Sequence, residues 1–272
     1  MLGLALSCPA LMPRARAQQK SRPASSGQTA RNLAGLSFPQ LLRKARKGDV
    51  QAMFLAGRMR ENGASGVRKS LARAARWYRR AALAGHAGAQ FRLARILHLG
   101  GPGIRRSARN AVVFYRAAAT RGKVEAMHWL AWCLEHGQGV EKDPAQAIKW
   151  YEKAVHAGYG PSMNNLGLIH LTGKGIKRDP ARALALFRKA ANQHDPWGAN
   201  NLGGMYEMGW GTRKNLKKAR IFYELAVKLN NTTARANLAR VDALLRRAGS
   251  APAGAPAPAS PPSPARPAPG HP

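Results

Sequence analysis

Apolar residues recur three and four positions apart through most of the chain, the spacing that places side chains on one face of an α-helix. Two such runs follow one another in mid-sequence, namely Ala126, Leu130, Ala131 and Leu134, then Ala147, Trp150, Tyr151 and Ala154. The alternation by two that marks a strand is absent from the pattern. The sequence therefore predicts an all-α protein built from pairs of helices.

The predicted helix pairs repeat at a fixed interval. Leu130, Leu166 and Leu202 occupy equivalent positions 36 residues apart. Two copies upstream carry one extra turn residue each, a half copy begins at Ala234, and Phe38 to Lys47 has the pattern of a second helix that caps the front. Such a period is typical of solenoids, in which each unit packs on its neighbours. We predict about five full repeats, a C-terminal half repeat and an N-terminal cap helix.

The turns contain the residues that this architecture needs. Each first helix is followed by a pair of glycines, because the chain must leave that helix through a positive φ angle. Asp143-Pro144 and Asp179-Pro180 then supply an N-cap acceptor and a proline suited to the first turn of the next helix. Ser70 and Asn215 stand at the same position as weaker caps.

This pattern resembles the Sel-1-like repeat family, which is related to the tetratricopeptide repeats, over roughly residues 50 to 245. The resemblance rests on Leu166-Gly167 and Leu202-Gly203, on the Gly-x-Gly turns, on the Asp-Pro caps and on Trp150-Tyr151 with Ala154. Arg60 and His170 depart from it, where the family usually has an aromatic residue. The resemblance implies a right-handed α/α superhelix that acts as an adaptor or scaffold for protein complexes, often exported in bacteria.

The two ends differ from this repeat domain, which we place at residues 38–248. Residues 1–17 end in Ala15-Arg16-Ala17, the small-x-small form of a signal-peptidase site, so we expect a periplasmic or secreted protein. The alternative is a misassigned start codon and a cytoplasmic protein. Residues 18–37 are predicted to be a disordered linker, and residues 249–272, rich in Pro and Ala, a disordered tail. If Cys8 is removed with the signal, Cys133 has no partner for an intramolecular disulfide.

Charge restricts the kinds of partner. The chain has 45 Lys and Arg against 12 Asp and Glu, a formal net charge of +33. Such a surface attracts anionic partners at long range, whether acidic proteins or an anionic polymer or lipid of the envelope. A general preference for Arg in the coding background would give the same composition, and the sequence leaves both explanations open. Nucleic acid is disfavoured, because the aromatic residues follow the period of the helical core.

Catalytic chemistry is not expected, since no convergent set of catalytic residues interrupts the repeat. The best cluster comprises His128, Trp132, Glu135 and His136, which project near one face of a helix. Its two histidines lie eight residues apart, wider than the pair one turn apart that helical zinc sites use. We interpret the cluster as a groove wall and predict no enzyme, no metal and no cofactor.

The partner is expected in the concave groove, lined by the first helix of each repeat. Residues two before and two after the central Leu, and some one turn further on, should point into it. They are Phe54, Arg58, Phe91, Arg95, His98, His128, Trp132, Glu135, Asn164, Leu168, Asn200 and Glu207, with Gly204 at the end of the series. We predict that this face binds a peptide or acidic protein. Asn164 and Asn200 suit hydrogen bonds to a peptide backbone, or are merely tolerated exposed residues. The rival is attachment to an anionic envelope component through the outer basic face.

Overall fold

The computed structural model describes residue 33 and residues 35–63 and 66–250, which form twelve helices. The first helices of the repeats are α2 (Val50–Asn62), α4 (Ala87–Leu99), α6 (Val124–His136), α8 (Gly160–Thr172), α10 (Pro196–Met208) and the longer α12 (Thr232–Ser250). The second helices are α3 (Leu71–Leu83), α5 (Ala108–Thr120), α7 (Pro144–His156), α9 (Pro180–Asn192) and α11 (Leu216–Lys228). The cap helix α1 (Phe38–Arg46) precedes them. The prediction of an all-α solenoid is confirmed.

Helices pack in chain order. Each first helix contacts its own second helix, and each second helix contacts the first helix of the next repeat. In addition, α8 packs directly on α10, and α10 on α12. The first helices thus approach one another more closely and form the inner, concave side of a right-handed superhelix.

An aromatic ring on the second helix holds each pair together. Tyr78, Tyr115, Tyr151, Phe187 and Tyr223 occupy this position, and each is almost completely buried. The ring lies against a glycine or alanine of the first helix. At Gly203 an added Cβ would lie 2.7 Å from the ring of Tyr223, so a small residue is required for this close approach.

The helix ends confirm the predicted caps. Asp143 and Asp179 accept hydrogen bonds from the backbone N–H groups of Gln146 and Arg182, both at 2.9 Å. Ser70 and Asn215 cap α3 and α11 in the same way. The backbone N–H of each of these capping residues also donates to a carbonyl near the end of the preceding helix, as Asn215 does to Tyr206 at 2.8 Å. The turn therefore fixes the angle between the two helices.

At the front of the domain, Leu33 is buried and Leu36 packs against the same hydrophobic cluster. Both residues belong to the segment predicted to be a linker, so ordered contacts begin before α1. At the other end α12 continues to Ser250, two residues past the predicted boundary. The export signal predicted at 1–17, most of the predicted linker and the tail beyond residue 250 lie outside the described residues.

The turn that contains Gly211 packs closely on the preceding repeat, and a substitution there can test this contact. The φ of Gly211 is +65°, and an added Cβ would lie 2.5 Å from the backbone oxygen of Pro180. Gly158 is the matched control, because its φ is +81° but nothing lies within 4 Å of an added Cβ. We expect Gly158→Ala to cost about 1 kcal/mol through backbone strain, and Gly211→Ala to cost a further 1–3 kcal/mol or so through overpacking. Denaturant unfolding measures both, and equal losses would contradict the packing argument.

Candidate partner-binding groove

Five equivalent positions on the first helices form a line along the concave side, here called the concave row. It runs Arg58, Arg95, Trp132, Leu168 and Gly204. Arg58 and Arg95 are exposed, and the other three are partly exposed. The row therefore changes along the solenoid from cationic through aromatic to apolar, and it ends at a residue with no side chain.

The two arginines at the front of the row are available to a partner. Neither forms an ion pair with a carboxylate in the described part of the chain. A cavity of about 700 Å³ adjoins Arg58 and is lined mainly by apolar side chains from α1 and α2 and the segment before them. This end of the groove thus offers a positive charge beside an apolar recess.

Trp132 is held in place by other rings. It stacks on His136 with ring centroids 4.5 Å apart, meets Trp129 edge-on at 6.1 Å, and lies 5.6 Å from His98. Trp129 in turn stacks on the buried Tyr115 at 5.9 Å. These contacts restrict the indole before a partner arrives, which lowers the conformational entropy lost on binding.

The predicted residues one turn earlier have a different setting. We call Phe54, Phe91, His128, Asn164 and Asn200 the inner row; Phe54 stacks on His86 at 4.4 Å, and the other four are buried. Exposure of Asn164 is only 1%. The expectation that these side chains point openly into the groove is therefore corrected for the four buried residues, whereas Phe54 is partly exposed. At the back of the groove the reason is lateral packing, because α8 contacts α10 and α10 contacts α12.

The asparagines link consecutive repeats. Asn201 Nδ2 donates to Asn164 Oδ1 at 2.8 Å, and Asn237 Nδ2 donates to Asn200 Oδ1 at 2.9 Å. The two bonds are equivalent to each other, one repeat apart, and form an amide ladder behind the concave row. Buried amides need such partners, since a lost hydrogen bond costs about 1–3 kcal/mol. The ladder also explains why asparagine stands inside helices that its propensity disfavours.

The predicted carboxylates Glu135 and Glu207 are also structural. Tyr151 donates its hydroxyl to Glu135 at 3.0 Å, and Tyr223 donates to Glu207 at 2.7 Å. Glu61 accepts from Tyr78 in the same way in the first repeat. Each carboxylate therefore satisfies the phenol of the buried ring in its own repeat.

A cation from the next repeat completes this arrangement. Arg240 binds Glu207 through two hydrogen bonds of 2.8 Å, and Lys174 lies 2.8 Å from Glu135. Burial by itself would raise the pKa of Glu207, but the hydrogen bonds from Arg240 and Tyr223 outweigh it and hold the pKa below its ordinary value. The carboxylate is thus ionised at neutral pH and ties two repeats together.

The second and fourth repeats have other residues at the position of this glutamate. In the fourth, Phe187 replaces the tyrosine and Leu171 replaces the glutamate, so neither polar partner is present. In the second, His98 stands at the glutamate position, and its Nδ1 lies 4.0 Å from the Sγ of Cys133. Burial raises the pKa of that thiol to about 12, which keeps it protonated and unreactive.

The residues considered for metal binding, His128, Glu135 and His136, each contact a different neighbour. His128 lies 2.9 Å from the hydroxyl of Ser162, Glu135 serves Tyr151, and His136 stacks on Trp132. Within the described residues no group of three or more His, Cys, Asp or Glu side chains has a geometry suited to a metal. Over the same residues, no helix combines the length and apolarity needed to cross a bilayer.

Comparison with known proteins agrees with this geometry. The family model for the Sel1 repeat matches residues 50–86, 87–123, 124–159, 160–195 and 198–231. The chain therefore belongs to the Sel1 repeat family. Proteins of this family are generally scaffolds for protein interactions, and the fold is typically non-enzymatic.

Solved structures of similar proteins exist. A Sel1 repeat protein from Oxalobacter formigenes is 30% identical, with a TM-score of 0.63, over 70% of this chain and 75% of that one. The protein c5321, a protective antigen present in uropathogenic Escherichia coli strains, is 25% identical with a TM-score of 0.62. The match covers 79% of this chain and 53% of the antigen. No functionally curated protein matches the sequence.

The fourth repeat has Leu and Phe where the fifth has Glu207 and Tyr223, and this difference suggests a test of the hydrogen bond between Tyr223 and Glu207. Glu207→Leu leaves the hydroxyl of Tyr223 without its acceptor, and we expect it to lower the free energy of unfolding by about 1–3 kcal/mol. Adding Tyr223→Phe, which reproduces the pair of the fourth repeat, should recover on the order of 1 kcal/mol. Strictly additive losses in denaturant unfolding would show that the two groups are not coupled.

Proposed function

We propose that the protein is an adaptor that binds an extended, acidic segment of a partner protein along the concave row. The proposal is supported by Arg58 and Arg95, which are exposed on consecutive first helices and form no ion pair among the described residues. Two like charges at equivalent positions favour a ligand whose carboxylates are spaced along its chain. The membership of the Sel1 repeat family supports a protein as the partner.

Trp132 and Leu168 supply the apolar part of the proposed site. A restrained tryptophan near the centre of a groove is the kind of residue that dominates binding energies in protein interfaces. The recess beside Arg58 would take a further apolar side chain of the partner. The proposed ligand is therefore acidic and also carries apolar anchors.

A pair of charge reversals tests the cationic end. We expect Arg58→Glu with Arg95→Glu to weaken partner capture by at least about tenfold, since repulsion replaces two attractions, and to flatten its dependence on salt. The control is Arg73→Glu with Arg76→Glu, which makes the same change of charge at exposed positions on the outer side of α3. Affinity capture from the native organism at several salt concentrations measures all three proteins.

The decisive comparison is between partner capture by the groove variant and partner capture by the outer variant. Loss of the same captured protein in the groove variant alone supports the proposed site. Unchanged capture by the groove variant, with an unchanged salt slope, would remove the concave row from consideration. Loss only in the outer variant would assign binding to the other face.

A second candidate is attachment of the outer face to an anionic envelope polymer or lipid. It is favoured by the second helices α3 and α5, which contain no acidic residue. Their exposed arginines are Arg73, Arg76, Arg79, Arg80, Arg109 and Arg116. A ligand of this kind would leave the groove empty.

Trp132→Ala separates the two candidates. If a protein segment occupies the groove, we expect affinity for the captured partner to fall by about 2 kcal/mol, roughly thirtyfold, because a central anchor is lost. Trp77→Ala is the control, since Trp77 is a partly buried tryptophan on α3 that packs under Arg80. Equal binding by both variants, together with unchanged salt elution from envelope fractions, would favour the outer face.

A further inference from the structure

A cavity of about 730 Å³ lies between the third and fourth repeats, apart from the concave row. Its walls come from α7, the end of α8, the turn that follows and the start of α9, and Gly211 of the fifth repeat closes one side. The polar side chains that line it are Glu152, His170, Lys177, Arg178, Asp179 and Arg182. None of them has a role in the proposed groove.

His170 is the unusual member of this set. It is only 7% exposed, and neither ring nitrogen has a hydrogen-bond partner among the described residues. Equivalent positions hold Leu134 in the third repeat and Tyr206 in the fifth, and the hydroxyl of Tyr206 accepts a bond from Arg188. Because unpaired buried polar atoms are destabilising, the fold alone gives no reason for an imidazole here.

The imidazole is neutral at physiological pH. Burial lowers the pKa of His170, and the positive charge of Arg182 lowers it further, while Asp179 and Glu152 act in the opposite direction. A neutral imidazole offers one N–H donor and one nitrogen acceptor. A ligand at one edge of this ring meets either the N–H or the other nitrogen, so a ligand that can both accept and donate a hydrogen bond fits either tautomer.

The surroundings favour an anion of the same mixed character. Arg182 lies 3.8 Å from Glu152, and Lys177 and Arg178 add two more positive charges. Asp179 is engaged as the N-cap of the 13-residue helix α9, whose N-terminus faces the cavity. Cationic donors thus stand beside the carboxylate of Glu152, which only accepts.

We propose that this cavity binds inorganic phosphate. At neutral pH free phosphate keeps at least one P–OH group, so its oxygens accept from Arg182 and from the imidazole N–H while its hydroxyl donates to Glu152. Sulfate and simple carboxylates only accept. A phosphate monoester loses its last proton near pH 6, and so it matches the site less well than free phosphate.

The experiment monitors the imidazole of His170, because a chain with a formal net charge of +33 attracts anions over its whole surface. The full chain is labelled with 13C at the Cε1 position of histidine and titrated with phosphate at constant ionic strength. His170→Leu identifies the signal and retains the fold, since leucine occupies the equivalent position in the third repeat. We expect a saturable shift of the His170 signal and at least tenfold weaker binding in Arg182→Gln.

Sulfate and glycerol phosphate serve as comparison ligands. Phosphate should bind at least tenfold more tightly than either, because only phosphate supplies both the charge and the hydroxyl. Equal binding of sulfate would overturn the proposal, and tighter binding of glycerol phosphate would overturn the assignment to free phosphate. Equal shifts at the exposed His136 and His156, or no shift at His170, would reduce the effect to general charge attraction.

Discussion

Every helix pair of the solenoid is held together by the contact between one aromatic ring and the backbone of the opposite helix. A ring on each second helix lies against a glycine or alanine of its first helix, and this sets how closely the pair approaches. In three repeats the phenol of that ring is satisfied by a glutamate, and the glutamate binds a cation of the following repeat. Packing within a repeat is thereby coupled to packing between repeats, which is the condition for a continuous solenoid.

The same coupling determines what remains for a partner. Because α8, α10 and α12 pack side by side, the inner row is covered at this end and its asparagines form the amide ladder. The concave row, one turn further along each helix, is exposed or partly exposed in the groove. The groove is therefore a narrow line of residues supported from behind by a polar network. A rigid support of this kind limits the entropy lost when an extended ligand binds.

The helices, their turns and the buried ring could be predicted from the sequence, because each depends on contacts within one repeat. The Asp-Pro caps and Gly-x-Gly turns are local signals, and the period itself marks Tyr151 as a core residue. Which side of a first helix faces solvent depends instead on how neighbouring repeats are rotated. For that reason Asn164 and Glu135 were expected in the groove, whereas in the structure each side chain is hydrogen-bonded to another helix.

Some of the missed contacts do leave a trace in the sequence. A glutamate stands 16 residues before the tyrosine in the third and fifth repeats, and both positions change together to Leu171 and Phe187 in the fourth. Likewise Asn164 and Asn201 lie 37 residues apart, one more than the period, as expected for a bond between neighbouring helices. Part of the hydrogen-bond network is therefore visible in the sequence, as pairs of positions that change together from one repeat to another.

Site-specific photocrosslinking can locate a protein partner on the concave row. A photoreactive amino acid is introduced at Leu168 in the row or at Ala185, an exposed position on the outer side of α9. We expect a crosslink to the captured partner from position 168 and none from position 185. A crosslink from position 185 alone would contradict it.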